Sequence, residues 1–410
     1  MLAIVALRNL YRNRRRTLLS LLVISVGTAG LLLTAGFIRY SFDGLRDAII
    51  NGGLGHFEVR PADGTDDPSA SARAGAPPSF TAWREAQAAI ENSPHVLSAS
   101  AVIQFAGVVT NGDRTASFLG VAVEPEREQR MGTVVRIRSG RNLGEAGDDR
   151  DELILGAGLA RQLGVAPADT VTVLIATPDG LLNAADLTVA GSFSSGFQDL
   201  DDRILKTHVS TAQELLGTGD VSSLVVNVKD TRAQPQAEKD LRQRLTGLDQ
   251  AVSVVGWDVR APFYGQVRSL YLGIFVFLGS IVATLVALAN SNTLMMSVLE
   301  RVREFGTLLA IGTTRAQLAA LLIWEVIWLG VIGTSAGAVL GFGSATIINA
   351  ARIKMPPPPA AVDPIDLALS VVPSDLIWAF AFMQLILLLA AVPPILRLFR
   401  LKIVEALGHV

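Results

Sequence analysis

The side chains that most often carry catalysis are sparse and scattered in this chain of 410 residues. Cysteine is absent, and none of the five lysines follows a glycine, which leaves no phosphate-binding G-x-x-x-x-G-K-[ST] loop in this sequence. An acidic run at residues 199–202 is better interpreted as a solvated turn than as a cation site, because calcium loops use a longer ligand series. No metal-ligand spacing relates the four histidines, which are His56, His95, His208 and His409. These residues favour binding or mechanical work over catalysis.

The most specific local pattern is the segment Val298–Gly312, VLERVREFGTLLAIG. It combines the charges of Glu300, Arg301, Arg303 and Glu304 with an apolar stripe at helical spacing. Such a helix lies along a membrane surface or docks into a partner's groove, and an ordinary interfacial helix is the competing interpretation. The stripe comprises Leu299, Val302, Phe305, Leu308 and Leu309, and the segment is punctuated by Gly306 and Gly312.

Four apolar blocks must position this segment. Half of the residues are hydrophobic and only 18% are charged, and each block reaches the roughly 20 residues that a membrane-spanning helix needs. A cleaved signal peptide is the alternative for the first block, but its apolar stretch exceeds the roughly 7–15 residues of a signal core, which favours a retained span. The blocks are Thr17–Ile38, Leu270–Val298, Leu318–Ala350 and Leu376–Leu396.

Arginines indicate the orientation of these spans. They precede the first block, lie between the second and third, and follow the fourth. The positive-inside rule then predicts that both termini and the segment 299–313 are cytoplasmic. Arg352 and Lys354, in the loop predicted to lie on the opposite side, are mild counter-evidence.

The long polar stretch between the first and second blocks predicts an α+β domain. Strand-like and helix-like runs alternate within it, and Asn111-Gly112 between two apolar runs predicts a β-hairpin. A helix start with a Ser or Thr cap is expected near Ser210. We therefore predict an α-helical membrane protein with four transmembrane helices, one before and three after a large extracytoplasmic α+β domain.

The predicted boundaries follow the chain in order. They are a basic amphipathic cytoplasmic helix (1–16), the first span (17–40), the extracytoplasmic domain (41–265), the second span with a stalk (266–298), the charged cytoplasmic helix (299–313), the third span (316–350), an extracytoplasmic loop (351–373), the fourth span (374–397) and a cytoplasmic tail (398–410).

Small residues recur along the third block. Gly333, Gly337 and Gly341 lie on one helical face, and this spacing lets two helix backbones approach closely. Packing within the chain and a dimer interface are equally compatible with the pattern.

Taken together, these features resemble the permeases of the FtsX/MacB/LolC-LolE type, the type VII ABC transporters that work by mechanotransmission. The resemblance covers essentially the whole chain and is carried by the one-plus-three arrangement, the basic start RNLYRNRRRTLL, and LERVREFGTLLAIG, which is similar to the family signature E-R-x-x-E-[FI]-G-x-x-[RL]-A-[IL]-G. The stretch GAGLARQLGV at 156–165 also resembles a family pattern, from which Ala168 departs because a glycine is usual there.

The resemblance implies a permease subunit in a bacterial inner (cytoplasmic) membrane. It implies no catalytic residue, metal or bound cofactor in this chain, with ATP and Mg²⁺ held by a dimeric cytoplasmic ABC ATPase that is a separate chain. A second permease copy or a homologous permease, membrane lipid and a periplasmic carrier or adaptor are the other implied partners, and no nucleic acid is expected. The implied ATPase contacts are Glu300, Arg301, Arg303, Glu304, Phe305, Gly306, Leu309 and Gly312.

Lipoprotein release, as in LolC and LolE, is the leading expectation for function. Two alternatives remain within the resemblance: MacB-like export of lipids, peptides or drugs, and FtsX-like regulation of a cell-wall hydrolase without transport. A membrane-anchored sensor without an ATPase is the alternative outside it.

Overall fold

The structure is a computed structural model that describes residues 2–12, 14–62, 79–131, 136–145, 150–196, 198–355 and 365–400. Parts of the predicted loop 351–373 and tail 398–410 lie outside the described residues. The helices are α1 Leu2–Arg12, α2 Arg14–Ile49, α3 Trp83–Glu91, α4 Pro125–Arg130, α5 Ala157–Leu163, α6 Gln198–Asp201, α7 Val209–Leu216, α8 Gln234–Leu245, α9 Trp257–Arg260, α10 Pro262–Glu300, α11 Val302–Ala310, α12 Arg315–Ala351, α13 Pro373–Ala390 and α14 Val392–Phe399.

A π-helical turn, Ile50–Leu54, continues α2, and a 3₁₀ turn, Thr231–Ala233, precedes α8. The strands are β1 Phe57–Pro61, β2 Val96–Thr110, β3 Thr115–Val123, β4 Arg136–Gly140, β5 Glu152–Gly156, β6 Thr170–Ala176, β7 Leu182–Ser194, β8 Ile204–His208, β9 Ser223–Val228, β10 Val252–Gly256, β11 Lys354–Met355 and β12 Ile365–Asp366.

The chain divides into two compact units. One, the α/β domain, contains the described residues of 44–266 together with residue 365. The other, the helical unit, contains those of 2–43, 267–355 and 366–400.

The α/β domain is built on one mixed sheet with the strand order β10-β1-β9-β2-β3-β8-β5-β7-β4, and β6 pairs with β2 and β7. The pairs β3–β8 and β5–β7 are parallel. The predicted hairpin is confirmed: β2 and β3 pair antiparallel through Thr110 and Thr115, and Gly112 has a φ of +94°. Helices α3, α5, α7 and α8 contribute buried apolar side chains to the core that the inner face of the sheet forms.

Two local expectations for this domain were wrong. Asp201, in the acidic run predicted to be a solvated turn, is buried and accepts hydrogen bonds from the hydroxyl of Ser194 and from the hydroxyl and backbone N–H of Ser195. The helix near Ser210 begins at Val209, and its cap is the side chain of His208, which accepts from the Ser210 N–H at 3.1 Å. Residue type alone indicates neither the serine partners that bury Asp201 nor the use of the His208 side chain as the helix cap.

Among the described residues, four segments are long and apolar enough to cross a membrane, and most of their length lies in the helical unit: Arg14–Leu54, Pro262–Glu300, Arg315–Ala351 and Pro373–Phe399. The predicted spans 17–40, 266–298, 316–350 and 374–397 each fall within one of these segments. Helix α12 is the most buried of the four and packs on α1 and α13, whereas α10 is the most exposed. An apolar core joins side chains of all four, including Ile24, Val286, Val326 and Met383.

Candidate coupling site

The charged segment between the second and third apolar helices folds as a short helix with a defined break at each end. Helix α10 runs to Glu300 and α11 begins at Val302, so the chain turns at Arg301. After α11, Gly312 has a φ of +103°, a conformation that glycine adopts without steric cost. Thr314 then caps α12 by accepting from the Gln317 N–H at 3.2 Å. The helix expected over 299–313 is therefore shorter, because both flanks are turns.

Phe305 is fully buried within the helical unit. It packs in an apolar cluster with Val298, Leu318, Leu322 and Leu398. The guanidinium of Arg301 lies 5.0 Å from the centroid of its ring, within cation–π range. Phe305 thus fastens α11 to α10, α12 and α14 of its own chain, and the structure does not present it as the partner-facing contact implied by the family resemblance.

Polar side chains from distant parts of the sequence meet around Arg301, and we call this group the ion-pair network. Glu325, on α12, is buried and accepts from Asn9 at 2.7 Å and from Arg301 at 3.1 Å. Arg301 also donates from Nε to Glu304 at 2.9 Å, and Arg12 donates to the same carboxylate at 2.9 Å. Because a carboxylate at such a depth is costly without partners, these contacts account for the burial of Glu325.

The network ties α1 and the start of α2 to the segment that the charge pattern singled out. Arg16 pairs with Glu300, and each lies four residues along the chain from its counterpart in the Arg12–Glu304 pair. The hydrogen bond from Arg301, supported by the positive charges of Arg301 and Arg12, lowers the pKa of Glu304 despite partial burial. Glu304 is therefore ionised at neutral pH and retains its two arginine partners. The sequence shows each charged residue but not its ion-pair partner, since about 290 residues separate the two members of each pair.

The outer face of α11 remains exposed. Arg303 and Thr307 lie one helical turn apart, and Ile311, a further four residues on, is 74% exposed. Of the other positions implied as contacts, Leu309 is half-buried, Gly306 is buried and Gly312 is exposed. Sequence reasoning missed Ile311, because its exposure depends on the turn at Gly312. The exposed surface of this tip therefore includes Arg303, Thr307 and Ile311.

The glycines of α12 contact α2 of the same chain. A Cβ at Gly333 would lie 2.7 Å from Ile24, and one at Gly337 would lie 2.6 Å from both the Ser25 carbonyl and the Thr28 side chain. Gly341 faces the same helix at 3.3–3.4 Å. The face carrying Gly333, Gly337 and Gly341 is therefore occupied within the chain, and close backbone approach at Gly337 explains why that position needs glycine.

Among the described residues, no group of three or more His, Asp or Glu side chains is arranged to hold a metal ion. The geometry at the α11 tip offers instead an exposed helix that is joined by buried apolar contacts to α10, α12 and α14 and by the exposed Arg12–Glu304 ion pair to α1. Such an arrangement can pass a displacement of the tip to the long helices.

Two family models together match most of the chain. The MacB-like periplasmic core domain matches residues 17–244, and the FtsX-like permease C-terminal model matches residues 270–403. The chain therefore belongs to the MacB- and FtsX-like permeases of type VII ABC transporters. With its four long apolar helices, it is a multi-pass membrane protein.

Individual relatives span this family. The lipoprotein-releasing system transmembrane protein LolC of Neisseria meningitidis is 23% identical over 79% of this chain and 76% of that protein. The macrolide export ATP-binding/permease protein MacB of Brucella melitensis is 26% identical over 86% of this chain and 54% of that protein. The pyoverdine export ATP-binding/permease protein PvdT of Pseudomonas syringae is 27% identical over 41% of this chain and 26% of that protein. The chain thus spans much of LolC but about half or less of the relatives whose names include an ATP-binding part.

Solved structures match at low similarity. The periplasmic region of MacB from Actinobacillus actinomycetemcomitans has a TM-score of 0.39 and 16% identity, covering 53% of this chain and 95% of that one. The extracellular domain of YknZ from Gram-positive bacteria has a TM-score of 0.35 and 14% identity, covering 49% of this chain and 99% of that one.

Proposed function

We propose that this chain is the membrane subunit of an ABC transporter in which a separate ATPase, with bound ATP and Mg²⁺, drives movement of the α/β domain. The α11 tip is the proposed docking point of that ATPase. In this proposal both chain termini and α11 are cytoplasmic, the α/β domain is extracytoplasmic, and the membrane is the bacterial inner membrane.

The observation that carries the proposal is the combination of an exposed tip with a buried base. Arg303, Thr307 and Ile311 are available to a partner, while Phe305 and the ion-pair network fix the same helix to α10 and α12. A loosely attached loop would move independently of the long helices when a partner displaces it. A helix that is held by a buried aromatic ring and buried hydrogen bonds passes this displacement to the long helices.

Lipoprotein release is the leading proposed activity. Of the three relatives compared above, LolC is the one of which the chain covers the largest share, and its name includes no ATP-binding part. Export of macrolide-like, peptide or lipid substrates is the second candidate, favoured by the alignment with MacB over 86% of the chain. A second copy of this chain or a homologous permease completes the proposed transporter, with a periplasmic carrier or adaptor.

Docking of the ATPase can be tested by co-purification. The chain and the ABC ATPase encoded beside it are co-expressed, and the ATPase retained per chain is measured for Arg303→Glu and Ile311→Asp. If both are central contacts, each change costs about 2 kcal/mol or more, which lowers the association constant about thirtyfold. Arg232→Glu, the same charge reversal on the exposed 3₁₀ turn of the α/β domain, is the control. Equal retention in all variants would contradict docking at this tip.

The substrate can be tested in proteoliposomes that contain the chain, its ATPase and a soluble acceptor. ATP-dependent release of a fluorescent triacylated lipoprotein, with no release of its non-acylated form, is expected for the leading activity. Extrusion of a macrolide or peptide without lipoprotein release would select the second candidate. Activation of a cell-wall hydrolase with no transported substrate would replace both with a regulatory role.

A further inference from the structure

An apolar cavity lies beside the ion-pair network, between α1, the start of α2 and α12. It has a volume of about 670 Å³, which lies within the usual range for sites that bind small molecules. Leu7, Leu10, Leu21 and Ile332 are among its apolar lining residues. Two basic residues, Arg8 and Arg14, are also among its lining residues.

The basic residues at the start of the chain divide into two sets. Arg12 and Arg16 are paired with Glu304 and Glu300. Arg8 and Arg14 are exposed and form no ion pair with any residue that the structure describes, although Arg14 lies 4.3 Å from the centroid of the Tyr11 ring. One set therefore forms ion pairs with the segment around α11, and the other carries uncompensated positive charge at an apolar cavity.

Helix α1 itself has the character of an interfacial helix. Ile4, Val5 and Leu7 are exposed at 65%, 43% and 42%, whereas Ala6 is buried and Trp328 of α12 donates to the Ala3 carbonyl at 3.0 Å. Exposed apolar side chains next to arginines are typical of a helix that lies at the boundary between lipid headgroups and acyl chains. The cavity and its two arginines are then at headgroup depth.

We propose that this cavity binds one anionic phospholipid, with its phosphate at Arg8 and Arg14 and an acyl chain along Leu7, Leu10, Leu21 and Ile332. Basic pockets beside transmembrane helices recognise such headgroups by charge, and guanidinium groups match phosphate oxygens in geometry. The bound lipid holds α1 on α12, the position from which Asn9 and Arg12 reach Glu325 and Glu304. With the cytoplasmic N-terminus of the proposed topology, this lipid belongs to the cytoplasmic leaflet, and only that assignment rests on the proposed function.

The test uses the full chain without an ATPase, in nanodiscs of equal phosphatidylglycerol and phosphatidylcholine. Both leaflets then carry the same lipids, so the result does not depend on orientation or on transport. After release from the nanodisc, native mass spectrometry counts the lipids retained per chain. We expect one phosphatidylglycerol per chain to be retained in preference to phosphatidylcholine.

Variants that each remove one positive charge distinguish a specific lipid site from general electrostatic attraction of anionic lipids. Arg8→Gln and Arg14→Gln should each lower phosphatidylglycerol retention about fivefold, the effect of one arginine at a membrane surface. Arg15→Gln removes the same charge from a neighbouring exposed residue outside the cavity lining and should leave retention unchanged. An equal loss in Arg15→Gln, or no loss in Arg8→Gln and Arg14→Gln, would overturn the site.

Two further experiments test the apolar part of the proposed lipid site. Ile332→Phe adds volume to the cavity wall without changing charge and should also lower retention. Glycerol 3-phosphate, which has the charged group but no acyl chain, should not displace the lipid at equal concentration. Displacement by glycerol 3-phosphate would reduce the site to a surface anion contact. Retention of a second copy of this chain on the same face in place of lipid would show that a protein is the occupant, and either result overturns the proposal.

Discussion

The two units of this protein differ in how far they cover their large apolar side chains. The α/β domain has one large apolar cluster and smaller ones beside it, and in the large cluster Phe57, Phe80, Leu153 and Leu205 have no exposed surface. The helical unit leaves many of its large apolar side chains exposed, such as Leu272, Phe277 and Val339, and its buried groups include Glu325, Arg301 and four glycines of α12.

The difference follows from the solvent that each unit faces. In water, burying apolar surface drives folding, so a sheet covers one face with helices. In lipid, apolar side chains gain little by leaving the surroundings, and helices associate through close packing of small residues and through buried polar contacts. The coupling site combines both: Phe305 sits in an apolar cluster at the end of the helices, next to ion pairs. The following predictions test this division, from the largest expected effect to the smallest.

Truncation of Phe305 should cause the largest loss of stability. Phe305→Ala removes a ring with no exposed surface and leaves a cavity, which typically costs about 3–5 kcal/mol in the free energy of unfolding. Leu299→Ala, a truncation at a position 45% exposed in the same segment, should cost far less. Unfolding of the full chain in mixed detergent micelles measures both. Similar losses would show that α11 is not anchored by this cluster.

The second-largest loss of stability is expected when the charge of Glu325 is removed. Glu325→Gln keeps an oxygen to accept from Asn9 but leaves Arg301 buried beside a neutral group, at a cost of about 3 kcal/mol. Arg301→Gln should cost a similar amount. Because each single change leaves a buried charge without one of its partners, and Arg301 then keeps only Glu304 as a carboxylate partner, the double variant should lose clearly less than the sum of the two. Additive losses in the same unfolding assay would show that the two side chains do not act as a pair.

A side chain at Gly337 should disturb the helical unit alone. Gly337→Val places atoms against the Ser25 carbonyl and Thr28, and overpacking of this kind costs about 1–3 kcal/mol. Gly343→Val is the matched control on the same helix, since a Cβ there meets nothing within 4 Å. Hydrogen exchange should show lost protection in α2 and α12 while the strands of the α/β domain keep theirs. Equal effects of the two variants would argue against close packing of α12 on α2.

The smallest effect concerns Ala168, where the family pattern usually has glycine. Ala168 has a φ of +77°, and its N–H donates to the Val189 carbonyl at 2.8 Å. A side chain in this left-handed conformation costs about 1–2 kcal/mol, of which the greater chain entropy of an unfolded glycine offsets part. Ala168→Gly should therefore stabilise the α/β domain by about 0.5 kcal/mol, measured by hydrogen exchange of β6 and β7 in the full chain.

The matching control for this last change is Ala176→Gly at the end of β6, where the backbone has no positive φ. There the same substitution should destabilise by about 0.5–1 kcal/mol, because only the entropic cost of glycine remains. A loss at both positions would mean that the strain at Ala168 is relieved by its surroundings.

Much of the architecture was predictable because it depends on local pattern. The positions of the apolar helices follow from run length, and the β2–β3 hairpin follows from Asn111-Gly112, whose backbone conformation is local. The strand β4 was missed because Arg136–Gly140 carries polar residues and gains its strand character from neighbours in the sheet. The same limit affected Asp201, whose hydroxyl partners are six and seven residues away and come together only in the folded turn.

For the coupling site, the sequence by itself determined which segment carries it: the charges and apolar stripe of Val298–Gly312 are a local feature of an amphipathic helix. Only the tertiary structure decided which side of that helix faces inward. Phe305 and Arg301 turn toward α12, whereas Arg303 and Ile311 stay outside. The physical reason is that periodicity specifies that an apolar face exists, whereas the partners of that face are set by contacts such as Arg12 with Glu304, which join residues almost 300 positions apart.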